Sequence, residues 1–269
     1  FEEIAKYRAA RKVWAKVMRE RFGAKNPSSL KCRFHSQTAG CSLTAKQPYN
    51  NVARTTIQAL AAVLGGTQSL HTNSLDEALA LPTENAATIA LRTQQVIAHE
   101  SGVTKTVDPL GGSYFLEKMT LQLEQACFEY IDKIDSCGGM VSAIEQGIPQ
   151  REIADSSYDY QKAMNLGKKN TVGINIFNEE SAKFRRGSVD TLNINKAGIK
   201  YQQDRLKQVK KTRSIHKVDE TLNALSEAAK GKENIMPYIL NCVRAYATVG
   251  EMCNTLKTVF GTYREPVFH

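Results

Sequence analysis

The chain has one tryptophan, seven prolines and no apolar run near the ~18 residues needed to cross a bilayer, so no membrane span is read. Its six cysteines (Cys32, Cys41, Cys127, Cys137, Cys242, Cys253) form no Cys-x-x-Cys pair and no ligand spacing with histidine. No thiol-based metal site follows from them; they read as buried free thiols of a reducing compartment. No basic stretch followed by an apolar one opens these residues, so no signal peptide is expected; Phe1-Glu2-Glu3-Ile4 starts directly in a helical pattern. The chain also does not begin with Met, and it is expected to be a piece of something longer. His-Glu-x-x-His, a Ser-His-Asp arrangement, paired carboxylates, Walker A spacing and Gly-x-Gly-x-x-Gly are all missing. Hydrolase, metalloenzyme and nucleotide-loop chemistry therefore have nothing specific to stand on.

What is present is a chain of 269 residues, 42% hydrophobic, enough for one large domain or two modest ones. The net charge of +9 suits a polyanionic partner, whether nucleic acid or a small molecule such as coenzyme A. The densest basic run, from Lys196 to Arg213, reads as a solvated helix. It lacks the interleaved aromatics of a base-stacking platform, so neither nucleic acid nor membrane is expected as a partner.

Periodicity organises the chain. Residues 1–22 repeat apolar positions at helical spacing and are stopped by Gly23 and Pro27. From Ser29 to Gln37 the parity is two: Leu30, Cys32 and Phe34 alternate with Lys31, Arg33, His35 and Gln37, which predicts a strand with one polar face. A helix over about 48–64 ends at Gly65-Gly66, residues 67–73 give a second strand, and a third helix spans 83–99. Helix, strand, helix, strand, helix with short links is the rhythm of β/α units. Beyond Ser101 the pattern becomes helical. A tight turn, Asp108-Pro109-Leu110-Gly111-Gly112-Ser113, leads to helices over 114–136, 140–146 and 151–166. A short strand is predicted over 171–177, an irregular polar stretch over 178–195, and further helices over 197–213 and 218–260, the last broken by Gly231 and Pro237. Two strands cannot close an eight-stranded barrel, so on this reading the missing strands precede residue 1.

The polar side chains at the strand ends are the candidate site. Arg33, His35 and Gln37 share one parity; Arg33 offers a bidentate fork for phosphate or carboxylate, with a salt bridge at the barrel mouth as the alternative. His35 could contact substrate or serve as a structural hydrogen bonder. Gln37 and Gln68 carry neutral amides that suit a thioester carbonyl or ribose hydroxyls, or plain strand-end hydrogen bonding. Asn73 and Glu77 flank a strand-to-helix turn and could grip a ribose diol, unless Asn73 caps the next helix.

The runs Arg33-Phe34-His35-Ser36-Gln37-Thr38-Ala39-Gly40 and Gly65-Gly66-Thr67-Gln68-Ser69-Leu70-His71-Thr72-Asn73-Ser74-Leu75-Asp76-Glu77-Ala78-Leu79-Ala80-Leu81-Pro82 closely resemble the large subunit of the methylmalonyl-CoA mutase family. The resemblance continues through Arg21 to Pro27, Ala90 to Gln95, Thr106 to Tyr114 and Ala245 to Met252. It implies an α/β fold: residues 1–110 as the C-terminal part of a (β/α)8 TIM barrel, and 111–269 as a mostly helical extension. It also implies an isomerase (intramolecular transferase) that rearranges acyl-CoA carbon skeletons by radical chemistry with adenosylcobalamin. Methylmalonyl-CoA to succinyl-CoA is the favoured reaction. By the same resemblance Arg33, His35, Gln37 and Gln68 form the substrate-side cluster. Gly40, Asn73, Glu77, Ala80 and Gln161 are the cofactor-side positions. No catalytic residue and no protein-held metal is assigned.

The chain departs from the family in three ways. The first part of the barrel is lacking, along with the family's substrate-carboxylate arginine and general-acid histidine. Within these residues there is no Asp-x-His-x-x-Gly of a cobalamin-binding domain, and the stretch at Tyr263-Arg264-Glu265-Pro266 resembles members whose cobalamin domain is a separate small subunit, which is the expectation here. Cys41 stands where many methylmalonyl-type members have Trp, and the Ala39-Gly40 pair and Ala90 to Gln95 lean toward the wider group, isobutyryl-type enzymes included. The expected partners are therefore an acyl-CoA, a separate cobalamin-binding small subunit and the missing N-terminal part of the barrel. Alone, the chain is expected to be inactive. The location expected is cytoplasmic, with the mitochondrial matrix as alternative. A non-catalytic remnant or assembly module is the reading from another class.

Overall fold

The computed structural model describes residues 1–178 and 189–264. The predicted irregular stretch 178–195 and the terminal Glu265-Pro266 thus lie wholly or partly outside the described residues. The chain is a mostly helical α/β protein with one small parallel sheet, and it separates into two compact units, Phe1–Leu192 and Asn193–His269.

In the first unit, α1 (Glu2–Lys16) precedes β1 (His35–Gln37), α2 (Asn50–Leu64), β2 (Ser69–His71), α3 (Glu84–Glu100), α4 (Tyr114–Ser136), α5 (Met140–Glu145) and α6 (Ile148–Asn165). The first unit ends at Leu192. α4 lies beyond 110 yet packs along α1, burying Ile4, Ala5 and Leu116 together with Leu64, Leu110, Met119 and Leu123. Polar bonds reinforce that contact. Arg8 donates to Thr120 Oγ1 (3.0 Å), Glu117 Oε1 (2.7 Å) and Asp108 Oδ2 (3.2 Å), while Lys12 and Lys16 reach the buried Glu124. Burial pushes the Glu124 carboxyl upward, but the two lysines outweigh it and leave it below the usual range.

β1 and β2 pair in parallel, with His35 opposite Ser69 and Gln37 opposite His71. Thr38 N–H to His71 O (3.1 Å) and Gln68 N–H to Phe34 O (3.3 Å) extend the ladder at both ends. The predicted strands over 29–37 and 67–73 are therefore shorter. Pro27–Leu30 turn as a 3-10 helix capped by Asn26, because proline at its start suits a helical turn and not a strand. The first helix also ends earlier than residue 22, loosening into a wider turn over Val17–Arg21. Residues 171–177 form a tight loop closed by Gly173 N–H to Ile176 O (2.8 Å), not a strand; left-handed φ at Gly173 (80°) and Phe177 (46°) turns the chain back on itself. The predicted parity holds: His35, Gln37, Ser69 and His71 are exposed, while Ser36, Thr38 and Thr72 are buried beneath.

α3 is capped by Thr83, whose side chain accepts from Ala86 N–H, so Asn73 does not cap it. The Asp108–Ser113 segment is the expected tight turn, occupied from within by Arg8 and by Gly112 N–H to Glu117 (2.9 Å).

The second unit holds α7 (Lys196–Thr212), α8 (Ile215–Lys230), α9 (Met236–Arg244) and α10 (Val249–Phe260). α7 buries no residue, as its charge pattern predicts; α8 packs on α9 and α10 around Val218, Leu225 and Cys242. Arg213 clamps Glu251 bidentately, and the same carboxylate accepts from Thr248 in a capping box at the start of α10. Arg213 holds the Glu251 carboxyl at about 2, far below the usual 4.5. All six cysteines are free thiols, but only Cys242 is buried; Cys32, Cys127 and Cys137 are half-buried, and Cys41 and Cys253 are exposed. No helix among the described residues is long and apolar enough to cross a membrane.

Candidate functional site

Both strands end in loops that start helices, and the polar candidates are strung along one sheet face and into those loops. From Arg33 to Gln37 the exposed row runs about 13 Å at 3.3 Å per residue. Arg33, at the N-terminal end, is exposed and makes no hydrogen bond or ion pair among the described residues. His35 Nδ1 meets Ser69 Oγ at 2.7 Å, which fixes its ring across the two strands. Gln37 Nε2 donates to Asn73 Oδ1 (3.1 Å) at the C-terminal end.

Gln68 stands apart from that row. It lies opposite Phe34, on the other parity, and accepts from Phe34 N–H (2.7 Å) while donating to Gly66 O (2.7 Å). Its amide ties the foot of the sheet together, so the structure does not bring Gln68 onto the face of Arg33, His35 and Gln37. His71 does lie there, in register with Gln37, and is a polar residue that the sequence reading passed over. The signal was available: alternation from Ser69 through His71 to Asn73 continues the polar parity of β2.

At the C-terminal end the contacts become tight. Asn73 is 2% exposed, and its amide donates to Thr38 O (2.9 Å) and Glu77 Oε1 (3.2 Å) while accepting from Gln37. Both amide hydrogens are used, so Asn73 holds Glu77 in place instead of offering donors outward. Glu77 itself is exposed. Opposite it sits Gly40, where a Cβ would lie 2.4 Å from Glu77 Oε1 and 3.2 Å from Asn73 Nδ2. Glycine is needed here for close approach, not for backbone freedom. Glu77 and Ala80 line a cavity of about 560 Å³ with His71, Leu81 and Leu91. Gln161, on α6, is exposed and bonded to Asn165 (2.8 Å); no hydrogen bond joins it to Gly40, Asn73 or Glu77 among the described residues.

The loop that carries Glu77 is fastened by Asp76, which is fully buried. Its carboxylate accepts from Ser74 Oγ (2.6 Å), Thr83 N–H (2.9 Å) and Thr83 Oγ1 (3.3 Å), closing residues 76–83 into a ring. Neither Asp76 nor its three donors stood out in the sequence, where the residue looks like one more charge in a polar turn.

The arrangement can bind an elongated ligand along the strands. It offers an unpaired cation at one end, neutral donors and acceptors in the middle, and an exposed carboxylate among small residues at the other. A carboxylate beside Gly40 and Ala80 can accept hydrogen bonds from the hydroxyls of a ligand that approaches closely.

Comparison with known proteins supplies the context. The family model described as methylmalonyl-CoA mutase matches residues 1–262. The chain is 47% identical to the 2-hydroxyisobutanoyl-CoA mutase large subunit of Aquincola tertiaricarbonis over 272 residues, covering 100% of this chain and 48% of that protein. It is 43% identical to methylmalonyl-CoA mutase of Escherichia coli (strain K12), covering 99% of this chain and 37% of that protein. Against the mitochondrial methylmalonyl-CoA mutase of Homo sapiens it is 42% identical, covering 98% and 35%. The chain thus spans about half or less of the length of these curated relatives.

Proposed function

The chain belongs to the methylmalonyl-CoA mutase family, and from that premise we propose that it supplies part of an adenosylcobalamin-dependent acyl-CoA mutase. The reaction proposed first is the interconversion of methylmalonyl-CoA and succinyl-CoA. The observation that carries the reading is the Gly40–Glu77–Asn73 contact at the C-terminal ends of two parallel strands, within a chain that the family matches almost end to end. Ligand chemistry at the C-terminal strand ends is what a β/α barrel provides. The barrel itself, with residues 1–110 as its last units and 111–269 as a helical extension, is part of the proposal.

On this reading Arg33, His35 and Gln37 face the acyl-CoA: Arg33 holds an anionic group, and His35 and Gln37 orient neutral polar atoms along the chain of the thioester. Gln68 keeps the foot of the sheet in register beneath them. Glu77 accepts hydrogen bonds from the cofactor's ribose, Asn73 keeps its carboxylate in position, and Gly40 and Ala80 leave room for close approach; Gln161 is an outlying cofactor contact. Adenosylcobalamin, when bound, supplies the radical chemistry of the rearrangement. The protein groups orient the substrate and exclude water from the reacting atoms. The remaining barrel strands and a separate small subunit carrying the cobalamin-binding domain complete the enzyme, in the cytoplasm or, as the second location, the mitochondrial matrix.

A second substrate reading has its own support. The relative with 47% identity is a large subunit named for 2-hydroxyisobutanoyl-CoA, against 42–43% for the methylmalonyl-CoA mutases cited above. A branched acyl-CoA of that kind, isobutyryl-CoA included, is the alternative. The test mixes the chain with the missing barrel strands, a cobalamin-binding subunit and adenosylcobalamin, and follows each acyl-CoA in turn. Turnover of methylmalonyl-CoA supports the first reading, and turnover of 2-hydroxyisobutanoyl-CoA or isobutyryl-CoA without it supports the second. A folded complex that turns over none of them supports the assembly-module alternative.

A further inference from the structure

The first turns of α2 fasten three separate loops, and they do so through Asn51 and Arg54. Asn51 is fully buried. Its amide donates to Thr44 O (2.9 Å) and Leu75 O (2.9 Å), and its oxygen accepts from Thr44 N–H (3.1 Å) and Arg54 (2.7 Å), so each of its four hydrogen-bonding positions is filled. Arg54 reaches further. One guanidinium nitrogen bonds Thr44 Oγ1 (3.1 Å) as well as Asn51, and the other bonds Val172 O (2.7 Å). Among the described residues no carboxylate pairs with Arg54. A second tie runs parallel to it, from Gln47 Nε2 to Phe177 O (3.0 Å), and both of these residues hold left-handed φ near 46°. Strained backbone of this kind persists only where surrounding contacts over-determine it.

The three fastened loops are those at the C-terminal end of the sheet. The 40–46 loop begins at Gly40, the 74–82 loop carries Glu77, and the 171–177 loop forms the far wall of a cavity of about 520 Å³ that Cys41, Arg54 and Tyr160 also line. We infer that Arg54 is a positioning residue for the proposed reaction. It holds the 40–46 and 171–177 loops at a fixed spacing and, through Asn51, sets Gly40 against Glu77. This inference rests on the mutase reading above. A lysine at position 54 keeps the charge but loses the fork that reaches three oxygens in different directions.

The experiment uses the chain assembled with its barrel partner strands and cobalamin subunit, as wild type and as Arg54→Lys. The KM for adenosylcobalamin is expected to rise about tenfold, the loss of one charge-assisted hydrogen bond. The KM for the acyl-CoA stays unchanged, because Arg33 and His35 have no bond to Arg54. Amide exchange in 42–44 and 172–176 should quicken while that of α1 and α4 does not. Should Arg54→Lys fail to fold, Thr44→Val deletes one of its acceptors and should move the same cofactor KM in the same direction. An unshifted cofactor KM, or both KM values rising together with faster exchange throughout α1 and α4, overturns the role of Arg54. A wild-type assembly without turnover overturns the mutase reading, and the positioning role with it.

Discussion

Replacing Gly40 with alanine tests the site where its geometry is tightest. The new Cβ would stand 2.4 Å from Glu77 Oε1, whereas ordinary contact begins at 3.4 Å, so the carboxylate oxygen must withdraw by about 1 Å. The backbone does not oppose the change, since Gly40 is not among the residues with positive φ. Glu77 is exposed and can swing outward, so the stability cost is the loss of its bond to Asn73, about 1 kcal/mol. On the proposed reading, in which Glu77 orients the cofactor, the functional cost is larger: a displacement of about 1 Å should lower turnover by up to ~100-fold, or about 2.7 kcal/mol. The assay is adenosylcobalamin-dependent turnover of the assembled enzyme, with the thermal midpoint measured on the same protein. A double-mutant cycle sharpens it. In a Glu77→Ala background only the tighter-than-usual approach to Asn73 Nδ2 (3.2 Å) remains, and Gly40→Ala should then cost much less. The reasoning is refuted if Gly40→Ala matches wild type, or if it costs as much with Glu77 removed as with Glu77 present.

Three further outcomes follow from the packing. The Glu251 carboxyl is depressed to about 2 by Arg213, so its stabilisation is fully present above 4.5, disappears as pH falls toward 2, and amounts to about 3 kcal/mol; denaturant unfolding across that range should lose this slope in Glu251→Gln. Asp76→Ala leaves Thr83 N–H without its acceptor and should cost about 3 kcal/mol, whereas Asp76→Asn can still accept from Thr83 and donate to Ser74 and should cost under ~1 kcal/mol. Equal losses for the two variants would show that the bonds of Asp76 do not matter. Arg8→Met unfastens α1 from Thr120, Asp108 and Glu117 and should lower stability by about 2 kcal/mol in a chemical denaturation curve; no change would mean that the apolar contact around Leu116 suffices.

The sequence made the alternation at His35 to Gln37 legible because a strand reverses its faces at every residue, a rule that needs no tertiary information. The sequence reading passed over the break before α10, capped by Thr248 and Glu251, and ran one helical region over 218–260 broken only at Gly231 and Pro237. The starts of α3 and α4 fall where the sequence places them, and Thr83 and Ser113 cap them, since capping is decided within four residues. The short strand over 171–177 misled for the complementary reason. Its apolar residues alternate, but Arg54 and Gln47 take up its carbonyls from more than a hundred residues away and leave no partner strand to pair.

By itself, then, the sequence determined the α/β rhythm, the polar face of the strands and the family to which the chain belongs, because those depend on local periodicity and on residues kept in fixed order. Tertiary structure alone decided that Gln68 serves the foot of the sheet, that Asn73 is spent on holding Glu77, that Gly40 is small for the sake of a carboxylate 37 positions away, and that Asn51, Arg54 and Asp76 bind the loops together. A hydrogen-bonding side chain looks the same in sequence whether its donors are free or filled. Only the positions of distant atoms in space determine which it is.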